Sequence, residues 1–177
     1  MDSPAQDRVR FPTSRVSHVA SRIGAVLDVC CPSVVISAAA AGADLVMLDE
    51  AQVRRVPVHI LVPLSTELFV ERSVADCGGD WVERFHRVLD HATGDPASMV
   101  EHLELDPHSD WYLKANELLV QRAVELAGPR SAIALTVRPV EGEEPPSATD
   151  DFATRAIDAG LLVLSIDPRP DHDAVVV

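Results

Sequence analysis

VVISAAAAGADL, residues Val34–Leu45, is the stretch on which the reading of the fold turns. A β-branched run ends at Ser37, four alanines and Gly42 follow, and an apolar-periodic segment starts at Ala43. The order predicts a buried strand over Ser33–Ser37, a tight turn, and a helix over Ala43–Arg55. Small side chains let a ligand approach the backbone, and Gly42 can take φ values that other residues avoid. The helix presents free N–H groups and the positive end of its dipole, which suits an anion. A second reading is steric: close strand–helix packing needs Ala and Gly for room alone. The text matches neither GxGxxG nor a Walker A sequence, so it does not choose between the two. Asp44, in the first helical turn, is either a partner for the helix dipole or an acceptor for a ribose hydroxyl or an amine.

Outward from this stretch the same alternation recurs. Met1–Asp7 reads as a disordered lead and Arg8–Phe11 as a first strand ended by Pro12. Val16–Val29 places Val16, Val19, Ile23, Val26 and Leu27 at helical spacing, one buried stripe. Val58–Val62 (VHILV) is a second buried strand, stopped by Pro63. Glu67–Asp76 and Trp81–His91 read as helices separated by Gly78–Gly79. Ser98–Leu105 alternates in part and reads as a strand. Ser109 caps a long helix through Ala127, which Gly128–Pro129 ends. Ala132–Val137 is a strand, and Glu141–Ser147 is an acidic, Pro-rich loop. Thr149 caps a helix to Ala159, Gly160 ends it, and Leu161–Ile166 is the last strand. Buried strands alternating with helices predict an α/β fold: a Rossmann-like, doubly wound, mainly parallel sheet with helices on both faces. A single domain over residues 8–168 and a tail over 169–177 without evident role complete the expectation. Right-handed crossovers would bring the strand C-terminal ends to one edge, where ligands of such sheets bind.

Composition bounds the function. A chain of 177 residues suits one domain, and at this size roughly 70% of the unfolded surface is buried without staples. Aromatics are only 4% of the residues, so Val, Leu, Ile and Ala must build the core. The net charge of −13 repels phosphate backbones and anionic lipids, so neither a nucleic-acid polymer nor a membrane is the expected partner. Three cysteines without framework spacing read as reduced and cytoplasmic, with Cys30 and Cys31 at a helix end and one of them buried. The first residues lack the apolar core of a signal peptide, and no apolar run reaches the roughly 18 residues of a membrane span.

Further along, the order of motifs resembles a known group. SAAAAGADL, then RRVPVHILVPL, then ERSV and WVERFHRVL, are similar to the SLOG superfamily of Rossmann-like domains. That group contains DprA-type and Lonely-Guy-type proteins and molybdenum-cofactor carriers. The nearest likeness is to stand-alone bacterial members. WYLKANELLVQRAVELAG and SATDDFATRAIDAGLLVLSIDP extend it to about Arg8–Pro168. Relatives open with a Gly-His-Arg turn, where this chain has Phe11-Pro12-Thr13-Ser14-Arg15, leaving Arg15 as the cation. Their Gly-Gly-Thr phosphate turn is Ser147-Ala148-Thr149 here. The PGGxGTxxE motif of Lonely-Guy phosphoribohydrolases is absent, so their catalytic residues are not carried over. The resemblance implies a site in which Ser37, Gly42 and Asp44 form one wall. Pro63, Leu64 and Ser65 form another, and Ser147, Thr149 and Asp150 close a phosphate side. Tyr112 and Asn116, four apart on one helix face, resemble a ligand-facing pair. The same two residues also read as an aromatic and a polar partner at a packing edge. Relatives often pair through helices, so a homodimer is expected.

The other residues attract plainer readings. His59 reads as a satisfied core or edge histidine, and His86 and His91 as solvated. His102, Asp106 and His108 are not expected to hold a metal. Trp81, Phe85 and Leu89 form a packing stripe or a dimer contact. Ser37 lacks a GxSxG elbow and a base, which argues against a serine hydrolase. Three functions stay open. The first is a sensor or binder of a nucleotide-derived small molecule, with no certain cofactor. The second is an N-glycosidase acting on a nucleotide or NAD, using Asp44, Asp150 or Asp151 at an oxocarbenium-like state. The third is a protein-interaction module with a vestigial pocket.

Overall fold

The computed structural model describes residues 15–77, 79–128, 131–138, 147–169 and 175–176. The lead over 1–7, the strand expected at Arg8–Phe11, most of the turn before Arg15, and residues 141–146 of the acidic loop lie outside the described residues.

Helix α1 (Val16–Cys30) buries Val19, Ile23, Gly24 and Leu27, one stripe at helical spacing. It ends at Cys31, whose left-handed backbone (φ 45°) closes the last turn on Leu27 O. Strand β1 (Val35–Ser37), helix α2 (Ala43–Val53) and strand β2 (Val58–Val62) follow. Next come α3 (Thr66–Ser73), a 3-10 turn over Ala75–Cys77, α4 (Trp81–Gly94) and β3 (Met99–His102). The second half holds α5 (Trp111–Ala127), β4 (Ile133–Val137), α6 (Ala148–Asp158), β5 (Leu162–Ile166) and the short β6 (Val175–Val176). The fold is mixed α/β.

Among the described residues the strands make two three-stranded sheets. The first is parallel, in the order β1-β2-β3, with Ser37 opposite Ile60 and Ile60 opposite Val100. The second has β4 parallel to β5 and β6 antiparallel to β5. The segment expected to be an idle tail therefore has a place, on the edge of β5 that β4 leaves open. Only β2 is buried at every position. It is central, with α2 and α4 packed against it. Strands β4 and β5 are not buried throughout, as expected from sequence, but alternate. Ala134 and Val163 face α5 and α6, while Ile133 and Leu162 start exposed on the other face.

The main core is aliphatic, with Leu45, Leu48, Ile60 and Val62 at its centre and Phe69 and Phe85 beside them. Each such side chain, fully buried, stabilises the fold by roughly 1.5–3 kcal/mol. Ile166 belongs to this core, and Leu135 and Val137 pack against it, so the second sheet leans on the first. Trp81 and Phe85 are buried and Leu89 packs on the core, so that stripe is packing rather than a free contact. Among the described residues no helix is long and apolar enough to cross a membrane.

Two cap expectations change. Helix α6 starts at Ser147, not Thr149. Ser147 Oγ accepts from Asp150 N, and the Asp150 carboxylate accepts from Ser147 N, a reciprocal capping box. Likewise Asp110, not Ser109, precedes α5, because the Ser109 hydroxyl donates to Asp106 O at 2.7 Å instead. The cysteine expectation also changes: Cys30 and Cys31 are both exposed.

Candidate functional site

Every helix but α3 leads within a few residues into a strand start, so the C-terminal ends of β1, β2 and β3 share one edge. The Ser37–Asp44 turn lies there. Ser37 is buried at the end of β1, and its Oγ accepts from Ala39 N at 3.3 Å. Ala39 is wholly buried with φ 63°, a left-handed conformation that costs an L-residue about 1–2 kcal/mol. Gly42 has φ 100° and ψ −128°, a backbone open in practice only to glycine. Gly42 supplies no side-chain cap to α2. The Asp44 carboxylate folds back from the first turn to accept from Ala40 N at 3.2 Å. Asp44 thus braces the turn and also sits where the helix dipole favours a negative charge.

Helix α3 lies along this edge instead of returning down the sheet. Its start is capped by Ser65, which accepts from Leu68 N. Its end meets two loops of the same edge: Ala41 N donates to Ser73 O at 2.9 Å, and Arg72 donates to Pro107 O at 2.6 Å. In the turn Ala39, Ala41 and Gly42 are buried, and Ala38, Ala40, Ala43 and Asp44 are half-buried. Pro63 and Leu64 are buried, and Ser65 is exposed. A groove of about 470 Å³ runs between the start of α1, the middle of α2 and the start of α4, and no residue of the Ser37–Asp44 turn lines it. Ala20 and Val46 line it, with Asp49, Asp80 and Arg84. Arg84 lies 5.0 Å from the Trp81 ring centroid and reaches Asp49 at 3.3 Å. Arg15, directly before α1, stands next to Val16 and Ser17 of the same groove.

The other expected wall is built differently. Asp150 accepts from the Ser147 backbone and hydroxyl and from the Arg138 guanidinium. The Ser147 donors, then Arg138, hold its carboxyl below the ordinary aspartate value. The start of α6 therefore already carries an anion of the protein's own, paired with a cation. Thr149 lies in the first turn, half-buried. Next door, at the ends of β4 and β5, is a polar column that sequence reasoning missed. Thr136 and Ser165 share a buried hydrogen bond of 2.8 Å, and the fully buried Asp167 carboxylate binds the Arg169 backbone and guanidinium. The readable signal was a Thr and a Ser in otherwise aliphatic strands.

Tyr112 and Asn116 part company. Asn116 Nδ2 donates to Ala148 O at 2.8 Å and to Asp151 at 2.9 Å, which docks α5 on α6. Tyr112 is exposed, with its ring edge-on to Trp111. His59 is buried and pairs with Glu101 at 3.1 Å, and Arg122 holds Glu101 from α5. His86 and His91 are exposed. Among the described residues no group of His, Cys, Asp and Glu is arranged to hold a metal.

No protein-family model, no curated protein and no solved structure matches the chain.

Proposed function

We propose that the chain is a Rossmann-like domain of the SLOG type that binds a nucleotide-derived small molecule at the C-terminal edge of its strands. Two features support a single doubly wound sheet. Strands β1 and β4 each have one edge unpaired among the described residues, and α5 packs across β1 on its way from β3 to β4. On this reading the two small sheets are halves of one.

The observation that carries the binding reading is the strained turn. Ala39 holds a left-handed backbone and Gly42 one that only glycine adopts, within one short loop at the edge where α/β sheets take ligands. Packing alone needs small residues there, not a left-handed alanine. The ligand's anionic group falls on the N-terminus of α2, because Asp150 and Arg138 already fill that of α6. Its hydroxyl or amine groups face Asp44. Asp44, Asp150 and Asp151 are each engaged in bonds within the fold. Binding without turnover therefore fits better than N-glycosidic hydrolysis.

A thermal-shift series with AMP, ADP-ribose, NAD and cyclic dinucleotides tests the reading. A binder at 100 times its dissociation constant stabilises the fold by about 2.7 kcal/mol. Asp44→Ala should diminish that shift. No shift from any of these at millimolar concentration refutes the proposal. Release of free base from AMP or NAD, followed by chromatography, would move the assignment to an N-glycosidase.

A further inference from the structure

Two of the three cysteines sit where thiols seldom do. A cysteine outside a disulfide is among the most buried of residues and packs as a small hydrophobe. Cys77 follows that habit, partly buried against the main core. Cys30 and Cys31, adjacent at the end of α1, are both exposed. The last residue that α1 buries is Leu27, so neither thiol fills the core. Packing gives no reason for a cysteine at either position, which leaves reactivity.

Cys31 is also a costly residue where it stands. It closes the helix with φ 45° and ψ 55°, the left-handed position at which helices usually place glycine. Pro32 follows it, and a proline favours extended backbone in the residue before it. Glycine would suit this backbone better; the thiol is what glycine lacks. The Cys31 Sγ donates to Asp28 O at 3.2 Å, which turns its sulfur back over the last turn of α1, the turn that carries Cys30.

Adjacent thiols have a restricted chemistry. Their α-carbons are about 3.8 Å apart across a trans peptide, whereas disulfide-bonded cysteines stand about 4.4–6.8 Å apart. The pair is therefore poorly placed to close on itself. Two thiols are also too few for the four-ligand centres of structural metal sites. Among the described residues no further His, Cys, Asp or Glu completes a metal-holding group. What fits is a thiophilic atom that takes two sulfurs and keeps a third substituent. The ring it closes spans one peptide unit and needs a bent S–X–S angle. Trivalent arsenic is pyramidal and supplies that bend, whereas a two-coordinate soft cation prefers a linear one.

We propose that Cys30 and Cys31 form a dithiol site for trivalent arsenic. Arsenous acid exchanges two of its hydroxyls for the two sulfurs. Two As–O bonds break and two As–S bonds form. The thiol protons leave with the hydroxyls as two waters, and arsenic stays trivalent. The second As–S bond forms within one molecule, so it gains the effective concentration of a tethered partner.

Phenylarsine oxide, with the full chain kept reduced by a phosphine, tests the site. Its one oxygen leaves as water when two thiols bind. Intact-mass spectrometry should show one phenylarsenic unit per chain, removed by excess ethanedithiol. Cys30→Ser and Cys31→Ser should each weaken binding by about 10²–10⁴-fold. Cys77→Ser should leave it unchanged. Cys31→Gly separates the site from the fold: glycine suits the left-handed position, so this variant should melt no lower than the wild type and still lose the arsenical. A wild-type chain that binds no more tightly than Cys30→Ser overturns the proposal. So does an adduct that Cys77→Ser abolishes, one that Cys31→Gly retains, or one that bridges two chains.

Discussion

Gly42→Ala tests the turn without any ligand. At φ 100° and ψ −128° an L-residue pays roughly 1–3 kcal/mol of backbone strain. Alanine also narrows the unfolded ensemble, which returns about 0.4–1 kcal/mol. The expected net loss is therefore about 1–2 kcal/mol. For a domain of this size that lowers the melting temperature by roughly 2–8 °C. Gly94→Ala is the matched control. It ends α4, has no atom within 4 Å of an added Cβ, and has no left-handed backbone. The same substitution there should be neutral or slightly stabilising. Thermal unfolding followed by circular dichroism separates the two. If Gly42→Ala melts as high as Gly94→Ala, Gly42 does not hold the strained conformation, and the binding argument loses its support.

The remaining predictions concern caps, charges and one close approach. Ser147→Ala should cost about 1 kcal/mol as a lost N-cap, whereas Thr149→Ala should stay within about 0.5 kcal/mol; chemical denaturation measures both. Asp150 titrates lower in the folded chain than in the unfolded one. Its contribution is therefore complete above the unfolded value of 3.8 and is lost as pH falls through the folded value. Melting temperatures taken across that acid range should fall more steeply for the wild type than for Asp150→Asn. A Cβ on Gly24 would run into Arg54 Nη2 and come within 2.8 Å of Glu50 Oε2. Gly24→Ala should thus be nearly neutral alone, because the helix gain of about 0.5–1 kcal/mol offsets a displaced surface bridge. In an Arg54→Ala background it should stabilise by that full amount, and equal effects in both backgrounds would contradict the close approach.

Local features were legible in the sequence where a single physical signal dominates. Pro57 and Pro63 bracket VHILV, and β2 runs from Val58 to Val62 as read. The apolar stripe of α1 and the glycine that stops α5 were equally plain. Register and direction were not, because they depend on partners distant in the chain. Nothing in TELFVERS says that α3 lies along the sheet edge; that follows from Ser73 and Arg72 meeting loops before α2 and α5. The alternation of β4 and β5 depends on helices covering one face fully and the other in part. At the candidate site, the small-residue turn was readable, but the strain at Ala39 was not, since alanine carries no mark of a left-handed backbone. Asn116 and Asp150 were singled out for a ligand, and the structure engages each with another part of the chain.

A crystal structure of the chain soaked with whichever nucleotide gives the largest thermal shift tests the central claim most directly. The account predicts density against Ala40, Ala43 and Asp44, with an anionic group at the N-terminus of α2 and Asp150 still bound to Arg138. Density at α6 with Asp150 displaced, or an empty Ser37–Asp44 edge at saturating ligand, would contradict it.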